Sequence, residues 1–464
     1  MGRDAYSALV SGVIFPLHEI LKGHDTGRRL RELERSQWWD RATLEAFQLA
    51  LLREFLGTAG SHVPYYRDLF RHIGFDPASI QSVGDLTRLP ILTKSEIRGH
   101  HAAFLREGAR GLTTYSTGGS TGEPLQFFVG PGRISADVAS RRRAMRWWGI
   151  DIGDPEVVLW GSPIEITRQD RIRAIRDRLF RSTLLSAAGM TGPRMDGYLD
   201  TLVRAQPAHI FSHASVLCEL AAHAERTGRS LSALGIRVVF VTSEELYDHQ
   251  RQQLERIFGC PVANGYGGRD AGFVSQECPR GGMHVSAEDV VIEIVDDHGA
   301  PLPRGCAGEI IVTNLASGDF PFVRYDTGDV GVLDDAPCAC GRGLPLLREL
   351  HGRADDLLLA LDGSRVPGQM VVHLVKGRPE IQGFKLVQES PDLVRVLLVV
   401  RGELSDEVTS TIAHGLRAHL GEGMRVEFES LGEIPREKSG KYRTVVSRLG
   451  LSPALQAQRA GSGP

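Results

Sequence analysis

The sequence has no long apolar run, no surplus of basic residues and few cysteines. No stretch reaches the roughly 18 apolar residues that a membrane-spanning helix needs. The apolar run "ALVSGVIFPL" (8–17) is too short, and the small-residue cleavage site of an export signal does not follow it. The formal net charge of −3 gives a nucleic-acid partner no electrostatic support. We therefore expect neither a membrane nor a nucleic acid as a partner.

The number of cysteines indicates the cellular compartment in which the protein works. Six cysteines in 464 residues, with no export signal, predict a cytoplasmic protein, because disulfides persist mainly in oxidising compartments. Any clustered cysteines are then expected to be thiols or metal ligands. The chain has no low-complexity block, and its composition of 42% hydrophobic and 24% charged residues is typical of globular proteins. Its length predicts two or more domains.

Three regions of different patterning follow one another along the chain. Residues 1–110 are predicted to be mostly helical, since apolar residues recur there at helical spacing. From about residue 155, short apolar runs such as "IRVVFV" (236–241) alternate with helical stretches, which predicts β-α units and a mostly parallel sheet. Residues 289–351 carry strands separated by turn residues and predict a more antiparallel β region.

A domain boundary is expected near residues 353–356, within "GRADD". Beyond it, strand-like runs flank a helix with four apolar residues on one face: Val408, Ile412, Leu416 and Leu420. The predicted fold class is α/β. The predicted units are a large N-terminal domain of several subdomains at 1–354, a small α+β domain at 355–450 and a flexible tail at 451–464.

Glycines and hydroxyl side chains are concentrated in "YSTGGSTGEP" (115–124). Glycines let the backbone approach a phosphate closely, and hydroxyls donate hydrogen bonds to its oxygens; a plain flexible loop is the alternative. The segment lacks the lysine of a Walker A loop. Positive charge must then come from a divalent ion and a distant basic residue. Lys441, in "EIPREKSGKYR" (433–443), is the candidate, and a solvated charge run is the alternative.

Four further segments follow the glycine-rich loop in a fixed order: "NGYGGRDAG" (264–272), "VRYDTGDVG" (323–331), "HGRADD" (351–356) and "PREKSGK" (435–441). Together with the loop, they resemble the adenylate-forming enzymes that activate carboxylic acids with ATP. The match is closer to the phenylacetate–coenzyme A ligase branch, to which residues 62–98 are also similar. The resemblance spans roughly residues 35 to 450.

The resemblance implies a large adenylation domain with a small mobile C-terminal domain. It also implies ATP-dependent activation of an organic carboxylic acid, of an aromatic or arylacetic class, with Mg²⁺. The acyl-adenylate would then transfer its acyl group to the thiol of coenzyme A and release AMP. Two alternatives stay open: a carrier-protein thiol or an amine as acceptor, and a non-catalytic nucleotide-binding relative. The oligomeric state is also open, with a homodimer as one option.

The same resemblance assigns roles around the nucleotide. Tyr266, followed by Gly267, would stack its ring on adenine. Asp329 would accept hydrogen bonds from both ribose hydroxyls, a role that suits a two-oxygen acceptor. The loop residues would enclose the β- and γ-phosphates; they are Ser116, Thr117, Gly118, Gly119, Ser120, Thr121 and Gly122.

Three residues toward the C-terminus complete the implied site. Arg353 would reach the ribose or phosphate end of the nucleotide. Lys441 would bridge the α-phosphate and the attacking carboxylate. Asp355 marks the position at which the small domain would pivot, closing for adenylation and rotating for thioester formation.

Two positions depart from the family pattern. Arg269 and Asp270 stand where a Thr-Glu pair is usual, so the magnesium ligand would be Asp270, with a stem one methylene shorter. Arg269 adds a positive charge that would weaken magnesium binding or partly replace it. In "TSEE" (242–245), which stands where Gly-Gly-Glu or Gly-Ala-Glu is usual, Glu244 takes the acidic position.

Four residues with metal-ligand chemistry occur in two pairs: Cys278 with His284, and Cys338 with Cys340. Together they suffice for a tetrahedral zinc site with no open position, which would be structural. Similar cysteines in some relatives of the ligase branch favour this interpretation over metal-free buried thiols. The other cysteines, Cys218, Cys260 and Cys306, are expected to be small core residues.

The acid-binding pocket is only weakly indicated. Tryptophans at 147, 148 and 160 and the segment "FSHAS" (211–215) would suit an apolar pocket. Ordinary core packing is the alternative for the tryptophans, and a histidine satisfied by local hydrogen bonds is the alternative for His213.

Overall fold

The computed structural model describes most of the chain. The described residues are 4–117, 124–161, 176–296, 298–353, 357–375, 378, 380–402, 405–434 and 444–449. The predictions for Gly118 to Gly122, Asp355, Lys441 and the tail at 451–464 fall outside them.

The N-terminal part is helical, as predicted. Asp40 starts a 22-residue helix because its carboxylate accepts a hydrogen bond from the Thr43 N–H. Gly74 ends the next helix in a left-handed conformation, with a φ of 65°. The described helices of this part are Ala5–Leu9, the π-helical turn Val10–Ile14, Phe15–Leu21, Thr26–Ser36, Arg41–His62, Pro64–Ile73 and Lys94–Gly99, with 3-10 turns at Pro77–Ser79, Val83–Arg88 and His101–Phe104.

The large sheet and one preceding hairpin contain the first thirteen strands. These are β1 (Thr113–Ser116), β2 (Gln126–Val129), β3 (Glu156–Trp160), β4 (Ser182–Ser186), β5 (His209–Ser212), β6 (Val238–Thr242), β7 (Val262–Gly268), β8 (Gly272–Glu277), β9 (Met283–Val285), β10 (Val290–Val295), β11 (Ala307–Asn314), β12 (Phe322–Asp334) and β13 (Leu346–Arg353).

Eleven of these strands form one continuous sheet, in the order β10-β11-β12-β13-β9-β8-β7-β6-β5-β3-β4. The pairs from β4 through β7 are parallel, and the pairs from β7 through β10 are antiparallel. The predicted parallel and antiparallel regions are therefore both present. They share a single sheet, which the sequence pattern did not indicate.

Helices connect the parallel strands and cover the sheet. Leu217 and Leu254, on two of these helices, and Val239 of β6 belong to one fully buried cluster. Gly259 ends the last of the helices with a φ of 66°, as its position in the sequence suggested. The described helices of this part are Pro131–Trp147, Gly192–Ala205, Ala214–Arg226 and Asp248–Phe258, with a 3-10 turn at Ser232–Leu234.

The C-terminal residues form a second, smaller sheet with its own core. The predicted apolar helix face is confirmed: Ile412, Leu416 and Leu420 are buried, and Val408 is half-buried. The sheet order is β18-β17-β16-β19. The elements are β14 (Leu357–Leu359), β15 (Arg365–Pro367), Gln369–Val375, β16 (Ile381–Ser390), β17 (Leu393–Val400), Asp406–Leu420, β18 (Arg425–Ser430) and β19 (Val445–Ser447).

The α/β class with a small C-terminal α+β unit is confirmed. The exact domain boundary at residue 355 stays a prediction. Among the residues that the structure describes, no helix combines the length and the hydropathy that a membrane crossing requires.

Candidate active site and metal centre

Strands β7 and β12 bring Tyr266 and Asp329 into contact. Tyr266 Oη donates a hydrogen bond to Asp329 Oδ2 at 2.9 Å and lies 3.4 Å from Thr327 Oγ1. Burial and the neighbouring carboxylate raise the pKa of Tyr266 well above its usual value, so the phenol stays protonated and orients Asp329. A Cβ on Gly267 would lie 2.2 Å from the Gly272 carbonyl oxygen, so only glycine fits this turn into β8.

Asp270 lies in the same turn and is held by two donors. Tyr325 Oη donates to Asp270 Oδ2 at 2.6 Å, and the Ala271 N–H donates to Oδ1 at 3.0 Å. Each carboxylate oxygen has two lone pairs, so both oxygens keep acceptor capacity for a hard cation that prefers oxygen ligands. The side chain therefore suits the expected role of magnesium ligand.

Glu244 lies just after β6, with its carboxylate held at the start of a helix. Ser215, in the first turn of Ala214–Arg226, donates from its backbone N–H to Oε1 at 2.5 Å and from its hydroxyl to Oε2 at 3.0 Å. The partial positive charge of a helix N-terminus stabilises a carboxylate there. Glu244 and Tyr266 thus lie at the carboxyl ends of parallel strands, the edge at which α/β sheets bind ligands.

The base of the glycine-rich loop is closed by two hydrogen bonds. The Thr117 N–H donates to the Leu125 carbonyl at 3.0 Å, and the Leu125 N–H donates to Thr117 Oγ1 at 2.9 Å. Arg269 reaches this base, because its Nη1 donates to the Ser116 carbonyl oxygen at 3.2 Å. The residue that departs from the family pattern therefore places its guanidinium beside the start of the expected phosphate loop.

An aromatic stack lies at the ends of β3 and β5. The Trp160 ring stacks on His213, with centroids 3.9 Å apart, and on Phe211 at 5.3 Å. The Arg141 guanidinium lies over the Phe211 ring at 4.1 Å. Trp160 and "FSHAS" are thus brought together on the ligand edge of the sheet. Trp147 is not part of this group.

Cys278, His284, Cys338 and Cys340 form a compact cluster, with all four ligand atoms within 4.8 Å of one another. The Cys278 and Cys338 Sγ atoms are 3.7 Å apart, and His284 Nε2 lies 3.1 Å from Cys340 Sγ. Zinc–sulfur bonds of about 2.3 Å in a tetrahedron require a sulfur–sulfur separation of roughly 3.8 Å. The donor set and the spacing fit zinc.

The imidazole of His284 has the properties of a zinc ligand. Burial lowers its pKa to about 4, so the ring is neutral at physiological pH and has a lone pair for a metal. Its Nδ1 contacts the Leu344 carbonyl oxygen at 3.3 Å. A proton on Nδ1 would leave Nε2, the atom that faces Cys340, as the ligand.

Three further side chains lie beside this cluster: Gln37, Trp147 and Arg342. The edge of Trp147 packs on the His284 ring, with centroids 5.4 Å apart, and Trp147 Nε1 donates to Gln37 Oε1 at 2.8 Å. The Arg342 guanidinium lies 4.6 Å from the centroid of Trp147, and its Nε donates to Gln37 Oε1 at 3.2 Å. The cluster therefore lies where the N-terminal helices meet the β-rich region.

Comparisons with known proteins agree with these motifs. The model of a family described as the CapK C-terminal domain matches residues 358–448. Phenylacetate-coenzyme A ligase of Thermus thermophilus is 26% identical over 440 residues, which cover 88% of this chain and 97% of that protein. Protein CapK of Staphylococcus aureus is 22% identical over 447 residues, which cover 95% and 96%, respectively.

A solved structure shares the fold over nearly the whole chain. It is 2-hydroxyisobutyryl-CoA ligase in the postadenylation state in complex with R3-HIB-AMP, with a TM-score of 0.73 and 19% identity. The match covers 92% of this chain and 94% of that one. The chain therefore resembles the phenylacetate–coenzyme A ligase-like branch of the adenylate-forming enzymes over most of its length, and it shares their fold.

The structure brings several of the expected site residues together. Asp329 is the β-ladder partner of Arg353, so the two positions are neighbours across β12 and β13.

Among the cysteines, Cys260 is buried as expected and Cys218 is half-buried. The expectation for Cys306 is wrong, since it is exposed in the turn before β11.

The sequence motifs alone did not indicate two residues that hold the candidate site's side chains. Tyr325 fixes Asp270, and its place inside "VRYDTGD" is a signal that would have found it. Ser215 fixes Glu244 across 29 residues of sequence, and no local pattern marks that pair.

Proposed function

We propose that the protein uses ATP to convert an organic carboxylic acid, of an aromatic or arylacetic class, to its acyl-adenylate, and then transfers the acyl group to the thiol of coenzyme A. The observation that carries the proposal is the 2.9 Å hydrogen bond between Tyr266 and Asp329. It joins two separate nucleotide motifs at the ligand edge of the sheet. The named activities of the curated relatives and the adenylate in the solved relative support the same chemistry.

In the first step, a carboxylate oxygen of the acid attacks the α-phosphorus of ATP. A new oxygen–phosphorus bond forms, the bond to the β-phosphate bridging oxygen breaks, and pyrophosphate leaves with the electron pair. The protein's contribution is positioning and electrostatic stabilisation. Asp329, oriented by Tyr266, accepts hydrogen bonds from the ribose hydroxyls, and the Tyr266 ring packs on the base.

Positively charged groups would neutralise the negative charge of the phosphates in this step. Asp270 would hold Mg²⁺, which neutralises charge on the phosphate oxygens when it is bound. Arg269, whose guanidinium donates to the Ser116 carbonyl, adds a fixed positive charge next to the loop. Lys441, outside the described residues, supplies the remaining cation between the α-phosphate and the carboxylate.

In the second step, the coenzyme A sulfur attacks the acyl carbonyl carbon as a thiolate. The carbon–sulfur bond forms, the carbon–oxygen bond to phosphate breaks, and AMP leaves. The C-terminal unit carries Lys441, so it must close for the first step and pivot at Asp355 to admit the thiol, as lids commonly do. The aromatic stack of Trp160, Phe211 and His213 favours a flat apolar acyl group beside it.

A structural zinc ion completes the proposal. Cys278, His284, Cys338 and Cys340 provide four ligands, so no position is left for a substrate. The cluster joins the turn between β8 and β9 to the loop that precedes β13. Its role is to fix these two segments against the N-terminal helices.

Pyrophosphate exchange into ATP tests the proposal. The full chain, supplied with magnesium, is incubated with labelled pyrophosphate and a panel of aromatic, arylacetic and short aliphatic acids. We expect acid-dependent exchange, and we expect AMP release to become continuous when coenzyme A is added. Exchange without turnover on coenzyme A would favour a carrier-protein or amine acceptor. Absence of both exchange and ATP binding would favour the non-catalytic alternative.

A further inference from the structure

The first helical segment presents an apolar face to solvent. Ala5–Leu9, Val10–Ile14 and Phe15–Leu21 follow one another without a break, and Val10 and Phe15 are buried on the inner face. Five large apolar side chains on the outer face are 47–87% exposed: Leu9, Val13, Leu17, Ile20 and Leu21. The other exposed residues from 5 to 21 are Ala5, Ala8 and Gly12. The outer face is therefore apolar over its whole length.

This face is unusual for the described surface. Single exposed apolar side chains are common on soluble proteins and need no explanation. Here, however, five of the eleven large exposed apolar side chains of the described residues lie within 13 positions. A helix that is apolar on both faces is usually buried, and contiguous apolar patches mark interaction sites.

The charges on the helix indicate whether a membrane or a protein covers this face. Helices that lie on membrane surfaces carry lysine and arginine beside their apolar face. Residues 5–21 contain no lysine or arginine, and Lys22 lies at the end. An anionic lipid surface would thus find little electrostatic attraction along the helix. A protein surface is the better match.

We propose that this face binds the same face of a second copy of the chain, with the two helices antiparallel and a two-fold axis beside Val13. In a two-fold interface, each contact occurs twice: if one residue of the first copy contacts a second residue of the other copy, the same two residues also meet with the copies exchanged. This register places Leu9 opposite Leu17 of the other copy. Gly12, where an added Cβ would meet no atom within 4 Å, leaves room for close approach at the centre.

The ends and edges of the face agree with this register. Lys22 comes near Asp4 of the other copy, and such rim charges orient partners more than they add affinity. Within its own copy, Asp4 accepts a hydrogen bond from the Ser7 N–H and forms an ion pair with Arg181. The apolar surface continues onto Leu179, which is 42% exposed and whose carbonyl accepts a hydrogen bond from Tyr6.

The size of the face predicts a reversible dimer. Burying one leucine-sized side chain removes roughly 60–120 Å² of apolar surface from water. The five side chains, partly buried already, would contribute roughly 200–400 Å² per copy, against about 800 Å² per partner in a standard interface. They would thus form the apolar centre of an interface whose rim comes from neighbouring residues.

Sedimentation velocity of the full chain over a range of concentrations tests the proposal. We expect the wild type to change from monomer to dimer with concentration. Leu9→Glu and Leu17→Lys should each raise the dimer dissociation constant at least roughly tenfold, because each buries a charge against an apolar group. The double variant, Leu9→Glu with Leu17→Lys, should recover the dimer, since the antiparallel register pairs the two new charges.

Val203→Glu is the matched control, because Val203 is 46% exposed on a different helix, Gly192–Ala205. It should sediment as the wild type does, and thermal melting would verify that all variants are folded. A wild type that stays monomeric at every concentration overturns the proposal, and so does a double variant that stays dissociated. Co-flotation of a monomeric wild type with anionic phospholipid vesicles would instead identify a membrane surface as the occupant.

Discussion

The Asp329 carboxylate carries the proposed ribose contact. Asp329→Asn keeps the size of the side chain but removes its charge and part of its acceptor capacity. We expect the KM for ATP in pyrophosphate exchange to rise roughly 10- to 100-fold, because hydrogen bonds to charged groups contribute about 1.5–3 kcal/mol. Tyr266→Phe, which loses the hydroxyl that contacts Asp329 and Thr327 and keeps the ring, should show a smaller rise. An unchanged KM in Asp329→Asn would contradict the assigned contact.

Asp289 gives a pH-dependent prediction at the same scale. Its carboxylate accepts a hydrogen bond from Ser140 at 2.5 Å and lies 4.0 Å from Arg29, yet burial raises its pKa to about 6. The unfolded pKa is near 3.9, so the folded state binds the proton more tightly. This contribution to stability, about 3 kcal/mol, is present below pH 4 and is lost as the pH rises through 6.

Asp289→Asn cannot ionise and should not show this loss. We expect the difference in melting temperature between variant and wild type to move in favour of the variant from pH 4.5 to pH 7.5. Asp68→Asn, at an exposed helix position, serves as control and should show no such trend. A constant difference for Asp289→Asn across this range would argue against ionisation of the buried carboxylate.

At the scale of elements, the cysteine–histidine cluster joins the β8–β9 turn to the loop before β13. Cys338→Ser removes one of the four ligands and should lower the zinc content from about one equivalent. It should also lower the melting temperature by about 5 °C or more, because the two loops lose their cross-link. Cys306→Ser, at an exposed cysteine outside the cluster, should change neither quantity. Purified wild type with less than a tenth of an equivalent of zinc would rule out the site.

At the scale of the whole molecule, the two steps of the proposed reaction make different demands on the C-terminal unit. In the present arrangement, this unit touches the large one where Tyr247 Oη lies 3.2 Å from Thr444 Oγ1, just beyond the segment that holds Lys441. Lys441→Ala should abolish adenylate formation and still convert a pre-formed acyl-adenylate to thioester. The rates of the two half-reactions, measured separately, check this, and equal loss of both would argue against the assigned role.

Much of the architecture follows from local patterns in the sequence. The apolar face at Ile412, Leu416 and Leu420 depends on a 3.6-residue repeat, and the helix end at Gly259 depends on one left-handed residue. The nucleotide motifs are also contiguous. Their order along the chain was enough to indicate a resemblance to the adenylate-forming enzymes.

The tertiary structure decided how distant segments meet. It joined the parallel and antiparallel strands in one sheet and placed Tyr325 on Asp270, 55 residues away in sequence. It also placed Gln37 and Trp147 around the cysteine–histidine cluster and left Cys306, expected in the core, exposed. The physical reason is range: capping and periodicity involve neighbours within a turn or two, whereas strand order and register depend on how the whole chain packs.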